Sequence, residues 1–215
     1  MKIKSLIAGI VLIVVLGLGG FMYRNAVENS QRPVACPVNS LQCPDGTSVT
    51  HAVGTCEFPA CPPPNVSLAD IGIAFAIPEG FVAVANPDVT SVTAYESVNA
   101  STSASIIIRR FAINASSTAL ATIQQTAIGG ASGMPVPITA YSSTVLGGKN
   151  HFTVVAIERF EGVVDTAYYL ARGTDVLRFD AIDREVMNWT DANLDVSRLP
   201  ANVALRKLLT TLEGG

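Results

Sequence analysis

The chain is poor in charge. Only 14% of its 215 residues are Asp, Glu, Lys or Arg, against roughly 25% in ordinary soluble domains. It has two histidines and one tryptophan. Fourteen basic residues against seventeen acidic ones leave a net charge of −3, which argues against a nucleic-acid binder with its basic stripe. Neither a Rossmann glycine fingerprint nor a P-loop occurs. There is no Gly-x-Ser-x-Gly elbow: in Gly130-Ala131-Ser132-Gly133 the glycine follows the serine one position too early. Hydrophobic residues make up 49% of the chain, far too many for a disordered one.

What is present is strongly ordered along the chain. Residues 5–23 carry no charge and are apolar on every side, with Leu6, Ile7, Ile10 through Leu16 and Leu18. Nineteen helical residues reach about 28 Å, close to the hydrocarbon thickness of a bilayer. A backbone in lipid must satisfy its own hydrogen bonds, so the segment is expected to be a transmembrane helix. Lys2 and Lys4 precede it, which places residues 1–4 in the cytoplasm and exports the remainder. The alternative is a cleaved signal peptide, which would make the protein secreted. Gly17, Gly19 and Gly20 are small enough for a cleavage site, but the run exceeds the roughly 7–15 residues of a signal core and lacks Ala-x-Ala. Residues 24–35 are a polar linker.

All four cysteines fall within 36–61: Cys36, Cys43, Cys56 and Cys61. An even, clustered set outside a membrane span points to a disulfide framework in an oxidising compartment. Four cysteines allow three pairings, and spacing does not choose among them. The turn signal Pro44-Asp45-Gly46 favours a nested arrangement, Cys36 with Cys61 and Cys43 with Cys56. The competing chemistry is a zinc site with His51, but no Cys-x2-Cys knuckle is present. Residues 62–65 begin with three prolines, a stiff spacer.

The remaining residues, 66–213, are enough for one domain with its own core. Strands are expected at 72–77, 81–85, 90–97, 103–112, 138–146, 151–158, 163–171 and 176–182. The most apolar of them, SASIIIRRFA, is expected at the sheet centre. A helix capped by Ser116 or Ser117 runs to about 128, and Pro200 opens a closing amphipathic helix. Strands followed by hairpins and helices, without βαβ alternation, define an α+β class with an antiparallel sheet.

Two resemblances accompany this reading. The string CPDGTSVTHAVGTCEFPACP is similar to a small cysteine motif of exported bacterial proteins. The segments FAIPEGF (75–81), TVLGGKNHFTVVAIE (144–158), YYLARGTDVLRFDAI (168–182) and the closing LLTTL (208–212) together resemble the PsbP-like fold. That likeness implies a small α/β/α sandwich acting as a binding or accessory module, and it transfers no ligand residues.

The chemistry-bearing residues give no catalytic set, no cofactor motif and no metal set. His151 is not placed for a triad, and an envelope hydrolase stands only as an alternative function. Asp191, Asn193 and Asp195 match the start of a calcium loop, but Val196 and Asn202 occupy its glycine and glutamate positions, so a metal-dependent structural protein is the other alternative. Asp180, Asp183 and Glu185 are expected as a solvated acidic loop. Arg109 and Arg110 should point to opposite faces of one strand. Trp189 is expected to plug the core, with an exposed contact as the alternative. Asn65, Asn99, Asn114 and Asn188 begin Asn-x-Ser/Thr sequons. The expected function is a membrane-anchored, extracytoplasmic binding module with an envelope protein partner.

Overall fold

The computed structural model describes residues 2–30, 36, 38, 40–43, 48–51, 55–99 and 103–214. The chain forms two units: one holds residues up to 41 with 49–59, the other holds 42–48 with 60–215.

In the first unit a single helix, α1 (Lys2–Ser30), carries the apolar run. Its described side chains begin at Ile13, and Ile13, Val14, Val15, Leu16, Leu18, Phe21 and Met22 are all exposed. Among the described residues no helix is long and apolar enough to cross a membrane. The expected crossing over 5–23 rests partly on side chains at 5–12, outside those described.

In the cysteine segment β1 (Ser40–Gln42) pairs with β2 (Ser48–Thr50). The cysteines form two disulfides, Cys36–Cys56 and Cys43–Cys61. The arrangement is interleaved, which corrects the nested expectation. Five residues join the two strands, too few for a parallel crossover, so they form a hairpin. Cys36 precedes β1 and Cys56 follows β2, so both lie at the open end of that hairpin. Cys43 is at the turn end and is left for Cys61. The turn residues 44–47, on which the nested preference rested, lie outside the described residues. Thiols consumed in bridges also overturn the zinc alternative, and His51 stacks edge to face on Phe58 at 6.2 Å.

The second unit is built on a seven-stranded antiparallel sheet. A small hairpin comes first, β3 (Val66–Leu68) with β4 (Ile73–Phe75). The sheet strands are β5 (Phe81–Val84), β6 (Ser91–Ser97), β7 (Ala104–Ala112), β8 (Ser142–Leu146), β9 (Asn150–Phe160), β10 (Val163–Ala171) and β11 (Asp175–Asp183). Their order is β5-β6-β7-β11-β10-β9-β8. The middle strand is thus β11, not the IIIRR strand β7 beside it. β11 is buried on both faces because helices cover both. The segment 138–140, expected as strand, is a single 3-10 turn before β8.

One face carries the main core. Ile106, Ile108, Phe152, Tyr168, Leu177 and Phe179 pack under α3 (Pro200–Thr210), which supplies Leu205, Leu208 and Leu209. Phe152 meets Phe179 and Tyr168 edge to face at 6.2 and 6.4 Å, a favoured aromatic geometry. Pro200 sits at the start of α3, where its missing N–H costs nothing. No side chain next to the helix caps it. Instead Asp183, at the end of β11, accepts the Ala201 N–H at 2.8 Å. On the other face α2 (Ala119–Thr126) covers Val155, Ala167, Tyr169 and Val176 with Ile123 and Ala127. Thr118 caps α2 by accepting from Ala121 N at 3.1 Å, one or two residues beyond the expected serines. Ser117 is already committed to a turn, its N–H donating to Asn114 O.

Removing the fully buried Leu205 side chain (Leu205→Ala) should lower unfolding stability by about 2–5 kcal/mol in denaturant titration. Non-reducing peptide mapping should recover the Cys36–Cys56 and Cys43–Cys61 peptide pairs and none joining Cys43 to Cys56.

Candidate functional site

The β7 and β11 strands bring charges onto the sheet rather than away from it. On the α2 face, Arg178 donates to Asp180 Oδ1 at 2.5 Å and to the Thr126 carbonyl at the end of α2 at 2.6 Å. It also lies 5.7 Å from the Tyr169 ring centre. Arg109, from β7, holds the other oxygen of Asp180 and reaches Asp88 at 2.9 Å. Asp165 completes the row, 3.6 Å from Arg178. On the opposite face Arg110 and Arg172 both grip Asp175, the latter through two bonds of 2.6 and 2.7 Å. Arg109 and Arg110 therefore take opposite faces, each with its own carboxylate.

This row explains the acidic residues grouped in the sequence. Asp180 is fully buried and Asp183 nearly so. Both are structural carboxylates, one between two guanidiniums and one capping α3, which corrects the expected solvated loop. Of the three only Glu185 is exposed. The sequence signal that would have separated them is strand alternation through 175–183. Asp180 and Asp183 sit inside a two-sided buried strand, where a carboxylate must be paired.

The row is not fully satisfied. Asp165 Oδ1 and the hydroxyls of Tyr169 and Tyr141 are buried without a hydrogen-bond partner. Burial raises the Asp165 carboxyl from 3.8 to about 6; Arg178 and Arg109 pull it down and Glu158 pushes it up. Burial likewise raises the phenols of Tyr169 and Tyr141, and burial raises Asp183 against the backbone N–H groups of Ala201 and Asn202. Asp175 is held low, chiefly by Arg172. Asp88 ends well below the usual carboxylate range: burial opposes this, but the bonds from Thr90 and Arg109 prevail.

A groove lies on the α3 side. It has a volume of about 750 Å³ and is lined by Pro62, Pro63, Asn65, residues 76–81, Arg198, Pro200, Val203, Ala204 and Lys207. A second depression of about 510 Å³ shares Pro62 and Pro63 and adds Lys149, Gly147 and residues 210–213. The two flank the proline spacer. Their walls are fixed: Ala74 and Glu213 exchange backbone bonds at 2.8 and 3.1 Å, Ala76 N donates to Thr211 Oγ1 at 2.9 Å, and Asn65 Oδ1 accepts from Ile77 N at 2.9 Å. The amide of the Asn65 sequon is thus engaged by the main chain. Gly147 has a left-handed φ of 63°, and a Cβ there would lie 2.8 Å from the Thr210 carbonyl. Only glycine lets β8 turn against the end of α3. Proline and aliphatic walls with the cations Lys207, Lys149 and Arg198 suit an extended chain bearing carboxylates. Arg198 already pairs with Asp195 at 3.1 Å, and Glu79 adds one negative charge.

The other sequence candidates are not brought together. His151 is exposed on β9 opposite Val145, and Ser132 Oγ accepts from Met134 N at 3.2 Å in its own loop. Asp191 accepts from Asn193 N and Asp195 from Ser197, so both calcium-pattern carboxylates close local turns. Among the described residues no group of three or more His, Cys, Asp or Glu is placed to hold a metal ion. Trp189 is half-buried against Phe160 rather than in the core, which corrects the expected plug. The groove itself was missed, because it is assembled from segments more than a hundred residues apart.

No protein-family model matches the chain, and no curated protein matches it. It is similar to a protein of known structure from Bacteroides thetaiotaomicron VPI-5482, at 12% identity and a TM-score of 0.45, over 67% of this chain and 45% of that one. The chain thus spans less than half of that protein. It is also similar to cyanobacterial PsbP (CyanoP) from Synechocystis sp. PCC 6803, at 12% identity and a TM-score of 0.45, over 70% of this chain and 91% of that one.

Asp165 gives a pH prediction. Its folded pKa lies above the unfolded value, so its contribution to stability is full below about pH 4 and is lost as pH rises through about 6. Asp165→Asn fixes the neutral form. The variant should exceed the parent by about 1–3 kcal/mol at pH 8 and match it near pH 4, read from paired denaturant curves.

Proposed function

We propose that the protein is an extracytoplasmic binding or accessory module, tethered to the membrane through α1, which takes an envelope protein partner in the groove beside α3. The observation that carries this reading is the groove: an open, mainly apolar trough with Lys207 and Arg198 at its rim, its walls held by hydrogen bonds from the backbone. Pre-formed concave sites of this size are where ligands bind. Two disulfides favour an oxidising compartment. The uncovered apolar side chains of α1 favour lipid as their surroundings.

Two measurements test it. After alkaline carbonate extraction the full chain should remain with the membrane pellet; recovery in the supernatant would remove the tether. A photo-crosslinking residue at Val203 should give one discrete adduct in intact cells. A copy placed at Ser143 on β8 should give none, and Arg198→Glu with Lys207→Glu should reduce the Val203 adduct by about tenfold or more. Identical adduct patterns at Val203 and Ser143, or reproducible substrate turnover abolished by His151→Ala, would overturn the reading.

A further inference from the structure

A second surface lies at the tip of the β9–β10 hairpin, among residues that do not line the groove. β9 ends at Phe160 and turns through Glu161 and Gly162. The segment leaving β11 runs beside this turn, joined to it by the Val186 N–H donating to the Gly162 carbonyl at 2.9 Å. Trp189 stands edge to face on Phe160, ring centres 6.1 Å apart. Phe160 is 46% exposed and Met187 94% exposed, so two adjoining turns hold an aromatic pair and a methionine at the surface. Burial would favour all three, and the fold supplies it only in part to Trp189.

The same tip concentrates carboxylates. Among the described residues Glu161 and Glu185 are the only non-glycine residues with left-handed φ, at 48° and 60°, a conformation disfavoured for residues bearing a Cβ. They lie on either side of the Val186–Gly162 bond, both are exposed, and neither forms an ion pair among the described residues. Asp191 is also exposed. The nearby cations are turned to the chain's own acceptors: Arg159 donates to the Asp191 carbonyl at 2.6 Å and Arg184 to Ser105 Oγ at 2.7 Å. Two unpaired negative charges therefore border an exposed aromatic and thioether surface.

We propose that this tip docks a basic protein segment, one presenting Lys or Arg beside an apolar side chain. Aromatic rings attract cations over their faces, and Trp does so most strongly. Aromatic residues and methionine are the types enriched where proteins meet. Glu161 and Glu185 supply the complementary charge that steers and registers such a partner. The same carboxylates disfavour an anionic lipid surface.

Trp189 is the sole tryptophan of the chain, so its emission reports this surface alone. The full chain in neutral phosphatidylcholine nanodiscs is titrated with a short, tryptophan-free Lys/Arg-rich peptide containing one leucine, and with a copy in which glutamates replace the basic residues. The basic peptide should shift the emission saturably, more weakly as salt rises. The acidic copy should do nothing. Phe160→Ala, and separately Glu161→Gln with Glu185→Gln, should weaken the apparent affinity about three- to tenfold while far-UV circular dichroism stays unchanged. The proposal is overturned by equal responses to the two peptides, or by no response to millimolar basic peptide. It is equally overturned by a shift with anionic phosphatidylglycerol vesicles alone, which would make the tip a lipid contact. A shift on concentrating the protein alone would make it a self-association face and overturn the proposal as well.

Discussion

The domain depends on how one strand, β11, is buried. It lies at the middle of seven strands with a helix over each face, so every side chain on it must be apolar or matched. Yet it carries Asp175, Arg178, Asp180 and Asp183, all 8% exposed or less. Breaking a buried ion pair by deleting one member leaves a charge without compensation, which is far costlier than never having had the pair. The neighbours of β11 are accordingly constrained. β7 supplies Arg109 and Arg110, β10 supplies Asp165 and the ring of Tyr169, α2 offers its terminal carbonyl to Arg178, and α3 receives its cap from Asp183. Strand order and the placement of both helices are thereby tied to one polar pattern.

That pattern also sets the electrostatic character of the two faces. The α3 face is a conventional apolar core with its polar atoms paired, as in the bond from the Tyr168 hydroxyl to Asn202 at 2.8 Å. The α2 face keeps one carboxylate more than its guanidiniums can match within the row Asp88, Arg109, Asp180, Arg178 and Asp165. Asp165 is the member left with an unpartnered oxygen. The adjoining loop is fitted as closely. A Cβ on Gly130 would lie 2.3 Å from Glu158 Oε2, while the next amide, of Ala131, donates to the other oxygen of that carboxylate at 2.8 Å.

Much of this architecture was legible in the sequence, and the failures share a cause. The Pro200 start of α3, the hairpin around Arg172 to Asp175 and the antiparallel α+β class follow from local patterns that read the same in any context. The central position of β11 does not. IIIRR is the more apolar string, but centrality is decided by partners, and buried arginine–aspartate pairs look like surface to a composition argument. The cap of α2 moved to Thr118 because Asn114 captured the preceding turn. The disulfide pairing is not legible either, because a turn signal says where the chain reverses and not which end of the hairpin faces the second bridge. Size alone points Trp189 to the core, whereas its neighbours are a hairpin tip and not the sheet. The groove has no local signature at all, since its walls come from opposite ends of the domain.

The backbone exchange between Ala74 and Glu213 has a kinetic meaning. It joins the first hairpin of the domain to the residue just beyond its last helix, and α3 in turn covers the main core. Contacts between such distant parts of a chain form late, because a long loop must close before they can begin to compensate. Until α3 has docked, the Ile106, Phe152 and Phe179 surface stays open to solvent. The main core of this domain is therefore complete only once its last helix lies over it, a closure that spans the whole domain in sequence.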